Sequence, residues 1–156
     1  MRAQLGGGSR QSLVIARTAL DAAVKGVDAS AASALSSELF FAADLLGSNI
    51  SIRRALTDPS RDGKAKETLI KDLLGKKVGA ASLSLLSEIS SLRWSGAKDL
   101  VQVIEQLAIE AEASAANIAG ELDRVENEMF VVSKTISNSS EPVSYTHLRA
   151  HETPEH

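Results

Sequence analysis

His147 and His151 stand four residues apart, the spacing that places two imidazoles on one helix face as a metal pair. Around them, from Val143 to Thr153, the chain reads VSYTHLRAHET, which is the translated read-through of a common transposon-type sequencing adapter. Pro154, Glu155 and His156 fit the adapter continuing. All three histidines and the single tyrosine lie in this tail. The histidine pair is therefore expected to be an accident of adapter translation. Residues 142–156 are set aside as a non-native tail, and the natural chain is expected to continue beyond this point.

Without the tail there is no His, Cys or Tyr, so neither a Ser–His nor a Cys–His nucleophilic pair can be built. Gly6, Gly7 and Gly8 lack the lysine and the preceding strand of a phosphate loop. Glu105, Glu110 and Glu112 recur on one apolar-periodic segment, and paired carboxylates can do acid–base or di-metal work. They lack the Glu-x-x-His companions of a di-metal bundle, which leaves a solvated helix face as the expectation. Arg53, Arg54, Arg61, Lys64, Lys66, Lys71, Lys76 and Lys77 form a basic segment suited to a phosphate or an acidic lipid. Asp58, Asp62, Glu67 and Asp72 interleave with them, so a solvated rim is expected. No cofactor and no metal site is expected.

The elements that must position these residues are helices. Of the 156 residues, 44 % are hydrophobic but only 3 % aromatic, which suits closely packed helices better than a β-sandwich. The length suffices for one domain with a real core. The net charge of −3 argues against a nucleic-acid footprint. No apolar run approaches the roughly 18 residues of a membrane span. An apolar signal-peptide core is missing near Met1, so a cytoplasmic protein, or one held at a membrane by partners, is expected.

The order of elements follows from spacing. Residues 1–11 are expected to be disordered, because three consecutive glycines are entropically costly to order. A first helix spans about Ser12 to Lys25, with Leu13, Ala16, Leu20, Ala23 and Val24 inward and Gly26 as its stop. Asp28 caps a second helix from Ala29 to Leu46, whose face is Leu35, Leu39, Ala42 and Leu46, with Gly47 as a left-handed stop. Ser48 or Asn49 caps a short helix carrying Ile52 and Leu56. Thr57 to Ser60 form a turn, since Pro59 fixes its own φ and drives Asp58 out of the helical region. Asp62 caps a fourth helix with Ala65, Leu69, Leu73 and Leu74 inward and Gly75 as its stop. A fifth helix, about Ala80 to Arg93, carries Leu83, Leu85, Leu86, Ile89 and Leu92, and Trp94 closes its corner as a core aromatic. Ser95 caps a sixth helix from Gly96 to Ile136, roughly 60 Å at about 1.5 Å per residue. That exceeds one small bundle, so the helix either breaks near Gly120 or enters a second unit. An internal repeat favours the second unit: Glu38-Leu39-Phe40-Phe41 aligns with Glu128-Met129-Phe130-Val131, Leu35 with Val125, and Leu46 with Ile136.

The phrase Ile52-Arg53-Arg54-Ala55-Leu56-Thr57-Asp58-Pro59, followed by Lys64 to Leu74, resembles the N-terminal helical domain of the δ subunit of F-type ATP synthases, called OSCP in mitochondria. The chain is most similar to the long actinobacterial form, over about Ser12 to Glu141. The resemblance implies an all-α six-helix bundle over 12–118, with a long last helix leading into a truncated second repeat at 119–141. It implies a non-catalytic peripheral-stalk subunit on the cytoplasmic face of the cell membrane. The helical domain would bind the N-terminal helix of an α subunit, and the missing C-terminal part would hold the b subunit. In the family that contact uses the groove between the first and fifth helices, which here is Ala16, Ala19, Ala23, Leu83 and Leu86. No nucleic acid and no membrane insertion are implied. The alternative from another class is a helical adaptor that binds an amphipathic helix. A di-metal bundle enzyme is disfavoured by the missing histidines.

Overall fold

Asp28 and Asp62 show how local sequence starts helices in this chain. Each accepts a hydrogen bond from the amide three residues on, Ala31 and Ala65, at 2.8 Å. Each thereby satisfies one of the free amides at a helix N-terminus. The computed structural model describes residues 5–137 and places six α-helices there: α1 Gly7–Val24, α2 Ala29–Gly47, α3 Ile50–Thr57, α4 Gly63–Leu74, α5 Ala80–Ser90 and α6 Ala97–Ser137. No strand occurs among the described residues. The expectations for 138–156, including the adapter tail and the histidine pair, lie outside the described residues, as do residues 1–4.

The chain divides between Asn117 and Ile118 into two units. The first unit holds the core. Leu20 of α1, Leu39 and Leu46 of α2, Leu56 of α3, Ile70 and Leu74 of α4, Leu86 and Ile89 of α5, and Leu100, Ile104 and Leu107 of α6 are all fully buried. At about 2 kcal/mol for each large aliphatic side chain taken out of water, these residues are the main source of the bundle's stability. Trp94 joins them at the α5–α6 corner, 4 % exposed, with its indole N–H donating to the Ile89 carbonyl at 3.0 Å. In the second unit Arg124 pairs with Glu121 and Glu128, three and four residues away, and Met129 is exposed.

Several expected boundaries move, each for a physical reason. The first helix starts at Gly7 rather than Ser12. Ser9 is the cause. Its hydroxyl donates to Asp99 Oδ2 at 2.6 Å and accepts from the Ser95 amide at 2.7 Å, while the Ser9 amide donates to Ser95 Oγ at 3.2 Å. The glycines make this approach possible, since a Cβ on Gly6 would lie 2.8 Å from both Cβ and Oγ of Ser95. Ser95 therefore serves α1 instead of acting as the expected cap of α6.

Gly26 does end α1 in the left-handed region, at φ +77. Gly47 does not: it stays helical, and the amide and hydroxyl of Ser48 close the helix on the Asp44 carbonyl. Gly75 does end α4 as expected, in the right-handed region at φ −57. Asn49 precedes α3 but gives it no side-chain cap; its side-chain Nδ2 donates back to the Leu45 carbonyl at 2.9 Å. The fifth helix stops at Ser90, three residues early, and the Ser91 amide turns back to the Ile89 and Ser87 carbonyls.

Candidate functional site

α1 and α5 pack against each other in the first unit. Three sets of hydrogen bonds orient α1 there. Ser9 joins it to Ser95 and Asp99, the Ser12 hydroxyl donates to the Arg93 carbonyl, and Arg17 donates through Nε and Nη2 to Glu110 at 3.1 and 2.9 Å. The order of these partners along α1 and α6 makes the two helices run parallel. α2 runs antiparallel to α6, with the Ser36 hydroxyl on the Ala108 carbonyl and Ser33 on Glu112. Glu38 of α2 anchors the start of α5 by accepting from the Gly79 amide at 3.1 Å and from the Ser82 hydroxyl. An acidic group at a helix N-terminus is also favoured by the helix dipole.

The five residues expected to form a partner-binding groove separate by depth. Ala16 and Leu86 are fully buried and belong to the core. Ala19, Ala23 and Leu83 are half-buried and pack against it. Beside them Val14 and Ile15 are exposed at 65 % and 47 %, two large apolar side chains on an outer side otherwise mostly polar. Ile15, Ala19 and Ala23 follow at i, i+4 and i+8, so they lie on one stripe. On α5 Leu85 and Ile89 are buried and Leu83 leans on the core, as does Leu92 just beyond the helix. Sequence reasoning missed Val14 and Ile15, because they fall off the inward stripe and looked like ordinary surface positions.

Of the three glutamates singled out on α6, two hydrogen-bond to other residues and, among the described residues, Glu105 does not. Glu110 holds Arg17 and accepts from Gln106, Glu112 accepts from Ser33, and Glu105 is exposed. No group of three metal-capable side chains occurs among the described residues. Most of the basic segment is exposed, but two members are not. Arg53 is half-buried, and its buried Nε has no hydrogen-bond partner among the described residues. Lys66 is 4 % exposed. It lines a polar cavity of about 260 Å³ between the α3–α4 turn and the α5–α6 connection, together with Arg61, Asp62, Arg93 and Trp94. Burial pushes the Lys66 ammonium below its ordinary 10.5; Asp58 opposes that shift, while Arg93 and Arg61 add to it. Asp58 is held below 3.8 by the Ser60 hydroxyl and amide, which it accepts at 2.7 and 2.9 Å.

None of the helices described is long and apolar enough to cross a membrane. No family model matches the chain. Curated relatives do. The chain is 41 % identical to the ATP synthase subunit delta of Streptomyces coelicolor over 135 residues, which is 86 % of this chain and 49 % of that protein. It is 40 % identical to the subunit delta of Streptomyces griseus over 85 % of this chain and 49 % of the relative. For the subunit delta of Salinispora tropica the figures are 39 % identity, 85 % and 48 %. The chain thus spans about half the length of the curated relatives it matches. Identity at this level, over nearly the whole of a chain whose first unit is a helical bundle, places it in the ATP synthase subunit delta family.

Proposed function

We propose that the chain is a piece of the peripheral stalk of an F-type ATP synthase and catalyses nothing itself. The supporting observation is the 41 % identity over 86 % of the chain to an ATP synthase subunit delta. The stalk's task is mechanical: it stops the catalytic head from turning with the rotor. A rigid bundle with one continuous core suits that load, because close-packed interiors transmit strain. In this reading the protein works at the cytoplasmic face of the cell membrane, as a peripheral member of the complex. The b subunit engages a C-terminal part beyond this chain, and 119–141 begins a second copy of the helical domain.

The first unit, in the same reading, receives the N-terminal amphipathic helix of an α subunit on the face shared by α1 and α5. Ile15, Ala19 and Ala23 offer an apolar stripe with small side chains, over which a second helix packs closely. Leu83 borders it, and Ala16 and Leu86 form the floor from within the core. The test is titration of the cognate α N-terminal peptide into the chain, followed by amide NMR. Saturable shifts confined to α1 and α5, weakened by Ala19→Glu, are expected. Absence of saturable binding at submillimolar peptide defeats the assignment for this unit.

A further inference from the structure

We propose that the cavity between the α3–α4 turn and the α5–α6 connection is a binding site for a carboxylate, with Lys66, Arg61 and Arg93 as its cationic wall. Lys66 carries the argument. The residue is 4 % exposed, yet its one hydrogen bond within the described residues is a 3.4 Å contact to the Leu92 carbonyl, at the long end of the useful range. An ammonium has three donors. Burying it without filling them opposes folding, and an anion in the cavity removes that cost.

The rest of the lining has the matching sign. Arg61 and Arg93 line the same cavity and are exposed, so their guanidinium groups are free to close on a ligand. Both bear electrostatically on Lys66, and Asp58 acts on it with the opposite sign. The nearby acids are already engaged. Asp62 caps α4 through the Ala65 amide, and Asp58 holds the amide and hydroxyl of Ser60. Those two carboxylates also favour a monoanion over a phosphate dianion at the cavity rim. A carboxylate presents two coplanar oxygens, which fit the fork of one arginine while leaving an edge for the lysine. The group is either free in solution or borne on the acidic side chain of a partner polypeptide.

The site is distinct from the α1–α5 face and stands or falls without the stalk assignment. The single tryptophan lines the cavity and gives one indole signal to follow. The full chain is titrated with acetate, succinate, N-acetylglutamate N-methylamide and inorganic phosphate, with chloride holding ionic strength constant. Saturable shifts at the amides of Gly63 and Ser91 to Trp94, and at the indole, are expected with carboxylates in the millimolar range and not with chloride. Affinity falls about tenfold or more in Arg93→Ala and in Lys66→Met, a loss of about 1.4 kcal/mol for each factor of ten. Tighter binding of the capped glutamate than of succinate supports the site and assigns a partner's side chain; the reverse supports it and assigns a free dicarboxylate. Three results overturn the proposal: no saturable carboxylate response up to about 50 mM, a regime weaker than any useful affinity; phosphate binding tighter than every carboxylate; or unchanged affinity in both variants. Arg93 is exposed, so its variant keeps the test readable even if the Lys66 change disturbs folding.

Discussion

Ser90 places a hydroxyl in the core. It is fully buried, and its Oγ finds no hydrogen-bond partner among the described residues. Ser90→Ala removes the stranded group and improves helix propensity, so stability should rise by about 1 kcal/mol, read as a higher urea midpoint at unchanged slope. Lys66 makes the same point with a charge. Its folded pKa lies below the unfolded 10.5, so the protonated form is penalised by folding. That penalty is complete at low pH and fades as pH rises from the folded value towards 10.5. Urea unfolding from about pH 7 to about pH 10 should therefore show a stabilising component that Lys66→Met abolishes, with the variant at least as stable as the parent at neutral pH. Asp58 works oppositely: its contribution is present above 3.8 and lost as pH falls below it. The Lys66 effect was not legible in the sequence. Lys66 is one of eight basic residues among interleaved acids, and it is buried because the α5–α6 connection, 26 residues away, folds over it. A rim read by charge pattern alone cannot identify the one member that is covered.

At the level of elements, local chemistry was legible and long-range chemistry was not. Asp28 and Asp62 cap the helices they precede, Gly26 ends α1 at positive φ, and Pro59 separates α3 from α4. Each of these depends on neighbours within a few residues. Asp62→Ala should cost about 1 kcal/mol in thermal or urea unfolding, the usual value for a lost cap. The start of α1 depends instead on Ser95 and Asp99, about 90 residues away, and three glycines in a row look costly until that contact is seen. Ser9→Ala should lose about 1 to 2 kcal/mol and should deprotect the amides of Arg10 to Leu13 in hydrogen exchange, leaving the α2 amides unchanged. A uniform loss across the bundle would instead show that α1 does not open independently at its start. The candidate α1–α5 face was half legible. The alanine spacing on α1 was plain, whereas the depth of Ala16 and Leu86 depends on how the other helices close over them.

At the scale of the whole molecule, the proposed stalk role implies no catalysis by the chain itself. Calorimetry with ATP should give no binding heat at micromolar affinity, because the sequence holds no phosphate loop; stoichiometric ATP binding would contradict this. Leu39 is buried in the first unit, while Met129, which the repeat alignment sets opposite it, is 67 % exposed in the second. Repeat alignment follows residue type, and burial follows the partners available to each unit. The most direct measurement is binding of the full chain to catalytic heads stripped of their own δ subunit, by sedimentation or calorimetry. The account predicts saturable 1:1 binding, weakened about tenfold or more by Ala19→Glu, a change of about 1.4 kcal/mol or more. No saturable association with the head, or affinity indifferent to Ala19→Glu, would contradict it.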